Sequence, residues 1–295
     1  MKTSPEFAGH DIVRKPGELR AWSRAWRTAG ERVALVPTMG ALHEGHLSLL
    51  RRARTEADRA IVSIFVNPTQ FAPGEDLAAY PRTFAADLAA IASVGEALVY
   101  APEASDMYPA GFATAVSLAG PANVGLEDRF RPTHFAGVAT VVAKLFIAAE
   151  AEIALFGEKD YQQLKVVQRM AADLDIATEV IGCPTVREAD GLAMSSRNRF
   201  LSLEDRRRAA VLPSVMATAA ERIRAGAEHG AATAEGAAEL QRAGFDVEYI
   251  EARNADTLLP LGRISNERIR LLVAARMGTT RLIDNMPVES AIQSA

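Results

Sequence analysis

Val36-Pro37-Thr38-Met39-Gly40-Ala41-Leu42-His43-Glu44-Gly45-His46 is the stretch that decides the fold. Ahead of it, Val33-Ala34-Leu35-Val36 is a short run apolar on both faces, which predicts a buried parallel strand. Behind it, Leu47, Leu50, Ala53 and Ala57 recur at helical spacing, with Arg51, Arg52 and Arg54 on the other faces. A strand therefore turns into a helix across two glycines and two histidines. Residues three apart share a helix face, so His43 and His46 point the same way. The amides of a helix start attract anions, and Gly40 and Gly45 let a ligand come close to the backbone. Imidazoles aimed at such a site donate hydrogen bonds to negative charge that builds up in a transition state. Two incidental histidines on an ordinary turn would show the same pattern, and the rest of the chain decides between the two.

The alternation continues outward from this turn. A helix over 16–29, with Leu19, Trp22 and Trp26 on one side, precedes it; a second doubly apolar strand, 60–66, follows. Next come a polar loop at 67–71, a helix over 84–94, a strand over 97–101 and a possible strand over 114–118. The helix 134–149, strand 152–156, helix 160–173 and strand 178–182 complete the series. This order predicts a Rossmann-like open parallel α/β sheet with right-handed crossovers, spanning 1–183. After Cys183-Pro184 the pattern changes. A loop at 187–199 leads to a helix opened by Ser202, with Asp205 as capping partner, and to a helical stretch over 231–243. Strands over 246–253, 268–275 and 280–285, with Gly278 at a hairpin turn, predict a smaller α+β domain over 184–295. The alanine-rich 225–238 reads as a weakly specified helix or a mobile connection.

The 295 residues are 49% hydrophobic and 24% charged, enough for full cores and against disorder. A net charge of -4 and a pI near 5.8 argue against a general nucleic-acid binder, yet leave room for a small phosphorylated ligand. Cys183 is the single cysteine, so neither an intrachain disulfide nor a cysteine metal cluster can form. The first fifteen positions lack the apolar core of a signal peptide, and no stretch approaches the roughly 18 apolar residues of a membrane span. A soluble cytoplasmic protein is expected, with no nucleic-acid or membrane partner. In open α/β sheets ligands bind at the carboxyl ends of strands, which selects the polar loops at 38–46, 67–71, 157–163 and beyond 182.

Long motifs fill these loops: PTMGALHEGH at 37–46, NPTQF at 67–71, YPRT at 80–83, HFAGVATVVAKLF at 134–146, FGEKDYQQL at 156–164 and READGLAMSSRN at 187–198, with DNMPV at 284–288. In this order they resemble the pantoate–β-alanine ligases (pantothenate synthetases), relatives of the HIGH-motif nucleotidyltransferases and class I aminoacyl-tRNA synthetases. The resemblance implies an ATP-dependent reaction. (R)-Pantoate is first activated as pantoyl adenylate with release of pyrophosphate, and the amine of β-alanine then displaces AMP. It implies His46 as the principal catalytic histidine with His43 supporting it, and Met39, Gly40, Ala41, Leu42, His43, Glu44, Gly45 and His46 lining the ATP site. Gly157, Glu158, Lys159 and Asp160 join them, Lys159 on the phosphates and Asp160 toward the ribose, together with Val186 and Met194. Ser195, Ser196 and Arg197 stand where related enzymes carry a KMSKS loop, with one lysine fewer. Gln70 and Gln163 are the implied pantoate holders, their amides able to donate and to accept. Magnesium is expected on the triphosphate with no protein ligand named. A homodimer through the N-terminal domain and a C-terminal lid sheltering the adenylate complete the expectation. Thr133 and Ala72 stand where relatives often carry glycine.

Overall fold

The computed structural model describes residues 11–71, 77–262 and 267–288; Ala72 lies outside them. The elements run β1 (Ile12–Val13), α1 (Pro16–Thr28), β2 (Val33–Thr38), α2 (Glu44–Glu56), β3 (Arg59–Ile64), α3 (Phe84–Val94), β4 (Leu98–Tyr100), α4 (Ala104–Met107) and α5 (Glu127–Phe130). They continue as α6 (His134–Ala149), β5 (Ile153–Gly157), α7 (Tyr161–Asp173), β6 (Glu179–Cys183), α8 (Leu203–Ala209), α9 (Val211–Arg224), α10 (His229–Arg242), β7 (Asp246–Asn254), β8 (Ile269–Met277) and β9 (Thr280–Val288). Two compact units emerge: Met1–Gly157 with Val166–Pro184, and Glu158–Lys165 with Thr185–Ala295.

The first unit holds a six-stranded sheet in the order β1-β4-β3-β2-β5-β6, every pair parallel. Its central strands are the doubly apolar runs: Val33, Ala34, Leu35, Ile61, Ile153, Ala154 and Leu155 are all fully buried. From β2 the chain steps to β3 and β4 on one side, then returns to β5 and β6 on the other. The reversal puts a topological switch point at the carboxyl ends of β2 and β5, the place where open α/β sheets receive ligands. Helix α2 turns Leu49, Leu50 and Ala53 into the core, and α6 is buried along nearly its whole length. In α1 Leu19 and Ser23 are buried, while the two tryptophans are left partly exposed, Trp22 at 38%. They pair with each other at 5.3 Å, and the Arg59 guanidinium covers the Trp26 ring. No strand forms over 114–118: the Val116 N–H donates to Thr140 Oγ1 on α6 at 2.9 Å instead of to a sheet neighbour.

In the second unit β7, β8 and β9 make an antiparallel sheet, and α9 and α10 pack with it around Leu212, Val215, Met216, Leu240, Leu271 and Val273. Gly278, at φ +58°, opens the two-residue turn between Met277 and Thr280 that joins β8 to β9. Ser202 caps α8, its hydroxyl accepting from Asp205 N at 3.1 Å. The alanine-rich stretch is no loose connection from residue 229 on. Glu228 caps α10 through Ala231 N at 2.7 Å, and Gly236 lets the helix close on Ile250 of β7.

Leu155 sits fully buried on β5 between two sheet neighbours, where a cavity has little room to collapse. Leu155→Ala is expected to lower unfolding stability by about 2–5 kcal/mol in urea titration. A loss well under about 1 kcal/mol would show that this strand is not central to the core.

Candidate active site

Side chains near and remote hold the turn after β2. Thr38 Oγ1 donates to Ser63 O at 2.7 Å, tying the ends of β2 and β3, and accepts from Gly40 N at 3.1 Å. Gly40 and Ala41 then take left-handed conformations, at φ +79° and +50°. A side chain at Gly40 would stand 3.0 Å from Asp87 Oδ2 and 3.2 Å from Ile64, which is why glycine is needed there. Ala41 carries the Cβ penalty of that conformation, and a buried carboxylate offsets it: Asp87 on α3 accepts from Ala41 N at 3.1 Å and from Leu42 N at 2.8 Å. Thr83 Oγ1 donates to the same carboxylate. Residue type alone marks neither Asp87 nor Thr83 for a role, although Thr83 ends the motif YPRT.

His43 is the N-cap of α2, not a residue within it. Its Nδ1 accepts from Gly45 N at 3.2 Å, while His46 Nδ1 accepts from His43 N at 3.3 Å. The two imidazoles thus form a reciprocal capping box, with ring centroids 4.1 Å apart. An Nδ1 that accepts cannot carry the proton, so each neutral ring has its N–H at Nε2. Glu44, first residue of the helix, pairs with Arg51, which holds its carboxyl below the usual range.

The loop after β3 supplies a third fixed donor. Asn67 caps the 3-10 turn Pro68–Gln70, its Oδ1 accepting from Thr69 N at 3.3 Å, Thr69 Oγ1 at 2.9 Å and Tyr108 Oη at 2.8 Å. Burial pushes the Tyr108 phenol up, which keeps its proton on the oxygen for that bond. The Thr69 amide can only donate, so Asn67 must turn its NH2 the other way, toward Gln70 Oε1 at 3.1 Å and Gly137 O at 3.2 Å. Gln70, only 8% exposed, therefore has its oxygen engaged and presents Nε2, which rests on the Met39 sulfur at 3.0 Å. A thioether is a weak acceptor, easily exchanged for a carboxylate or hydroxyl. The amide expected to donate and accept is set to donate. His134 Nδ1 and Arg131 hold Gln70 O from below, at 2.9 and 3.3 Å. Gly137 lies so close that an added Cβ would meet Thr69 O at 2.3 Å. Thr133 caps α6 at φ -99°, an ordinary conformation that needs no glycine.

The second unit gathers the remaining residues. Lys159 and Asp160 lie in the 3-10 turn Glu158–Asp160 that follows Gly157, with Lys159 Nζ 3.7 Å from Asp160 Oδ2; Gln163 is half-buried on the first turn of α7. The 187–199 loop folds back on itself: Met194 N donates to Val186 O at 3.0 Å, and Ser195 Oγ caps the turn Ser196–Phe200 by accepting from Arg197 N at 3.2 Å. Arg206 of α8 reaches Glu188 and Asp190, both at 2.6 Å, and holds the Asp190 carboxyl below its ordinary range. The turns at 158–160 and 196–200 both pack against β9. Among the described residues, no group of three His, Cys, Asp or Glu side chains is placed to hold a metal ion. No described helix is long and apolar enough to cross a membrane.

Comparison with known proteins follows the same lines. The family model for Pantoate-beta-alanine ligase matches residues 11–287. The chain is 55% identical to the pantothenate synthetase of Nitrobacter winogradskyi over 277 residues, covering 94% of this chain and 98% of that protein. It is 59% identical to the one from Rhodopseudomonas palustris strain BisA53 over 256 residues, 87% and 90% of the two chains. A crystal structure of pantothenate synthetase from Thermus thermophilus aligns with TM-score 0.88 at 45% identity, covering 94% and 99%. The pantoate-β-alanine ligase of Francisella tularensis, complexed with β-γ ATP and β-alanine, aligns with TM-score 0.80 at 32% identity, covering 96% and 99%.

Asp87→Asn keeps the shape of the residue that anchors the left-handed turn but halves its accepting capacity. It is expected to lower kcat/KM about 10- to 100-fold while the protein stays folded. Steady-state kinetics beside a thermal melt check this, and unchanged kinetics would remove Asp87 from the support of the turn.

Proposed function

The chain belongs to the pantoate–β-alanine ligase family, an ATP-dependent ligase joining (R)-pantoate to β-alanine, and we propose how its residues divide that work. The observation that carries the reading is a set of donors whose protons are fixed by the fold: His43 Nε2–H, His46 Nε2–H and Gln70 Nε2–H, on adjoining loops beyond β2 and β3. In the first step a pantoate carboxylate oxygen attacks the α-phosphorus, the bond to the leaving pyrophosphate breaks, and negative charge grows on the phosphate oxygens. Catalysis of such a step is positioning and charge stabilisation. His46 donates to the charge that develops, with His43 beside it, and the backbone from Met39 to His46 lines the nucleotide. Gln70 donates to pantoate, and Gln163 is its second holder.

Lys159 is assigned to the triphosphate, where an ammonium on a flexible stem can follow charge from the α- to the β-phosphate. Asp160 is assigned to the ribose hydroxyls, and Gly157, Glu158, Val186 and Met194 to the surroundings of the nucleotide. Ser195, Ser196 and Arg197 complete the phosphate contacts. In the second step the β-alanine nitrogen attacks the acyl carbon, the bond to AMP breaks, and the amine gives up a proton. The acyl adenylate must be kept from water until then, and this is the task assigned to the C-terminal domain. Magnesium is assigned to the triphosphate oxygens and water, since the described side chains offer no three-ligand cluster and Asp87 is spent on backbone amides. There it would neutralise charge on the departing pyrophosphate. We place the enzyme in the cytoplasm as a homodimer.

Isotope exchange between pyrophosphate and ATP, with pantoate present and β-alanine absent, tests the adenylate directly. Exchange that requires pantoate, and AMP as the nucleotide product of the full reaction, are expected; ADP as product would overturn the mechanism. His46→Ala is expected to cut exchange by about 100-fold or more while ATP binding stays measurable. Gln163→Ala is expected chiefly to raise the KM for pantoate, and an effect confined to ATP would contradict its role.

A further inference from the structure

The motif DNMPV places Asp284 and Asn285 next to each other on β9, and both residues are 3% exposed. Asp284 receives the guanidinium of Arg187, at 2.7 and 3.0 Å, at the start of the loop that carries Ser195–Arg197. Asn285 reaches the other phosphate segment. Its Nδ2 donates to Glu158 O and to Lys159 O, each at 2.8 Å, so one amide spans the two carbonyls that flank the Lys159 Cα. Its Oδ1 accepts twice from Arg270, from Nε at 2.7 Å and from Nη2. Arg270 can only donate, so it fixes which end of the Asn285 amide faces the turn. The same guanidinium donates to Glu158 Oε2 at 3.0 Å and lies 4.0 Å over the Tyr161 ring. Tyr161 in turn donates to Ala255 O at 2.9 Å. Every polar group of the Asn285 side chain is engaged, and all of its partners bear on residues 158–161.

We propose that Asn285, oriented by Arg270, is a positioning residue that holds the Lys159 turn in the geometry required for pyrophosphate release. The inference rests on the assignment of Lys159 to the triphosphate. Asparagine is the residue the position needs. Aspartate would match Arg270 at least as well but would turn a carboxylate oxygen toward two carbonyls at 2.8 Å, with no proton to offer. Leucine would leave two carbonyls and a buried guanidinium without partners, and glutamine is one methylene too long for both contacts. A 3-10 turn of three residues has too few hydrogen bonds of its own to fix a backbone. The clamp from β9 supplies what is missing, and it explains why Glu158–Lys165 groups with the C-terminal unit.

Asn285→Asp separates this role from a role in folding, because it keeps the size of the side chain and the pairing with Arg270. The test is a double-mutant cycle with Lys159→Ala, read by pantoate-dependent pyrophosphate–ATP exchange, with circular dichroism and a cooperative thermal transition certifying each variant. With Lys159 present, Asn285→Asp is expected to slow exchange about 10- to 100-fold. In the Lys159→Ala background the same substitution is expected to change the residual rate by less than about threefold, since there is no ammonium left to position. An equal factor in both backgrounds, or an unchanged rate with Lys159 present, overturns the proposal. If Lys159→Ala alone leaves exchange intact, the assignment of Lys159 fails first, and the two failures are told apart. Should Asn285→Asp not fold, Arg270→Lys, which keeps a cation for Glu158 but loses the fork on Oδ1, takes its place in the cycle under the same criteria. If neither variant folds, the pair determines the fold and the positioning role is overturned.

Discussion

Everything on the nucleotide side of the first unit depends on a backbone that reverses in left-handed geometry at Gly40–Ala41 and stays there. Glycine makes the first of these conformations free of steric cost, but Ala41 carries a Cβ, and its conformation persists only because something overdetermines it. That something is the Asp87 carboxylate, buried on α3 and bonded to two successive amides of the turn. With the turn fixed, His43 falls at the N-cap of α2 and His46 three residues on. Each imidazole then accepts a backbone N–H at Nδ1, which puts the proton of the neutral ring on Nε2. The tautomers of the two imidazoles are thus a consequence of helix capping, and the turn that leads into the cap is anchored by one carboxylate.

The same logic governs the buried side-chain amides. A primary amide is symmetric in shape, so only its neighbours decide which end donates. In the Asn67–Gln70 pair the decision begins at the Thr69 N–H, which cannot accept, passes through Asn67 and emerges as an N–H on Gln70. In Asn285 it begins at Arg270, which also cannot accept, and emerges as two N–H bonds to the Lys159 turn. Both chains start from a group that is a donor under all conditions and end on an amide N–H whose direction is set, one on Gln70 and one on Asn285. A site that stabilises developing negative charge needs protons in known places before the charge appears, because reorientation during the reaction would cost part of the stabilisation.

The sequence made the parallel sheet readable because its strands are doubly apolar and its helices amphipathic, signals that depend on neighbours within about a dozen residues. Motifs at the strand ends then picked out His43, His46, Gln70 and the 157–163 loop by place as well as by type. What stayed hidden were partners remote in the chain. Asp87 lies 46 residues from Ala41 and Asn285 126 from Lys159, and nothing local about an aspartate on a helix or an asparagine on a strand announces such a role. The error at 114–118 has the same source: an extended apolar segment looks like a strand until a threonine on a distant helix takes its amide.

Gln70 and Lys159 also differ in kind, and the difference fits the roles proposed for them. Gln70 is buried, its carbonyl held by His134 and Arg131 and its amide polarised by Asn67, so every degree of freedom is removed. Such rigidity suits recognition of a ligand whose polar groups do not move. Lys159 has its backbone fixed by Asn285 while its side chain is left a four-carbon stem beside Asp160. Under the proposed assignment of Lys159 to the triphosphate, charge shifts during adenylation from the α-phosphate to a departing pyrophosphate, and a cation on a flexible stem can follow it from a fixed base. Clamping the two carbonyls around the Lys159 Cα fixes the base of that stem, and the ammonium at its far end stands 3.7 Å from Asp160 Oδ2.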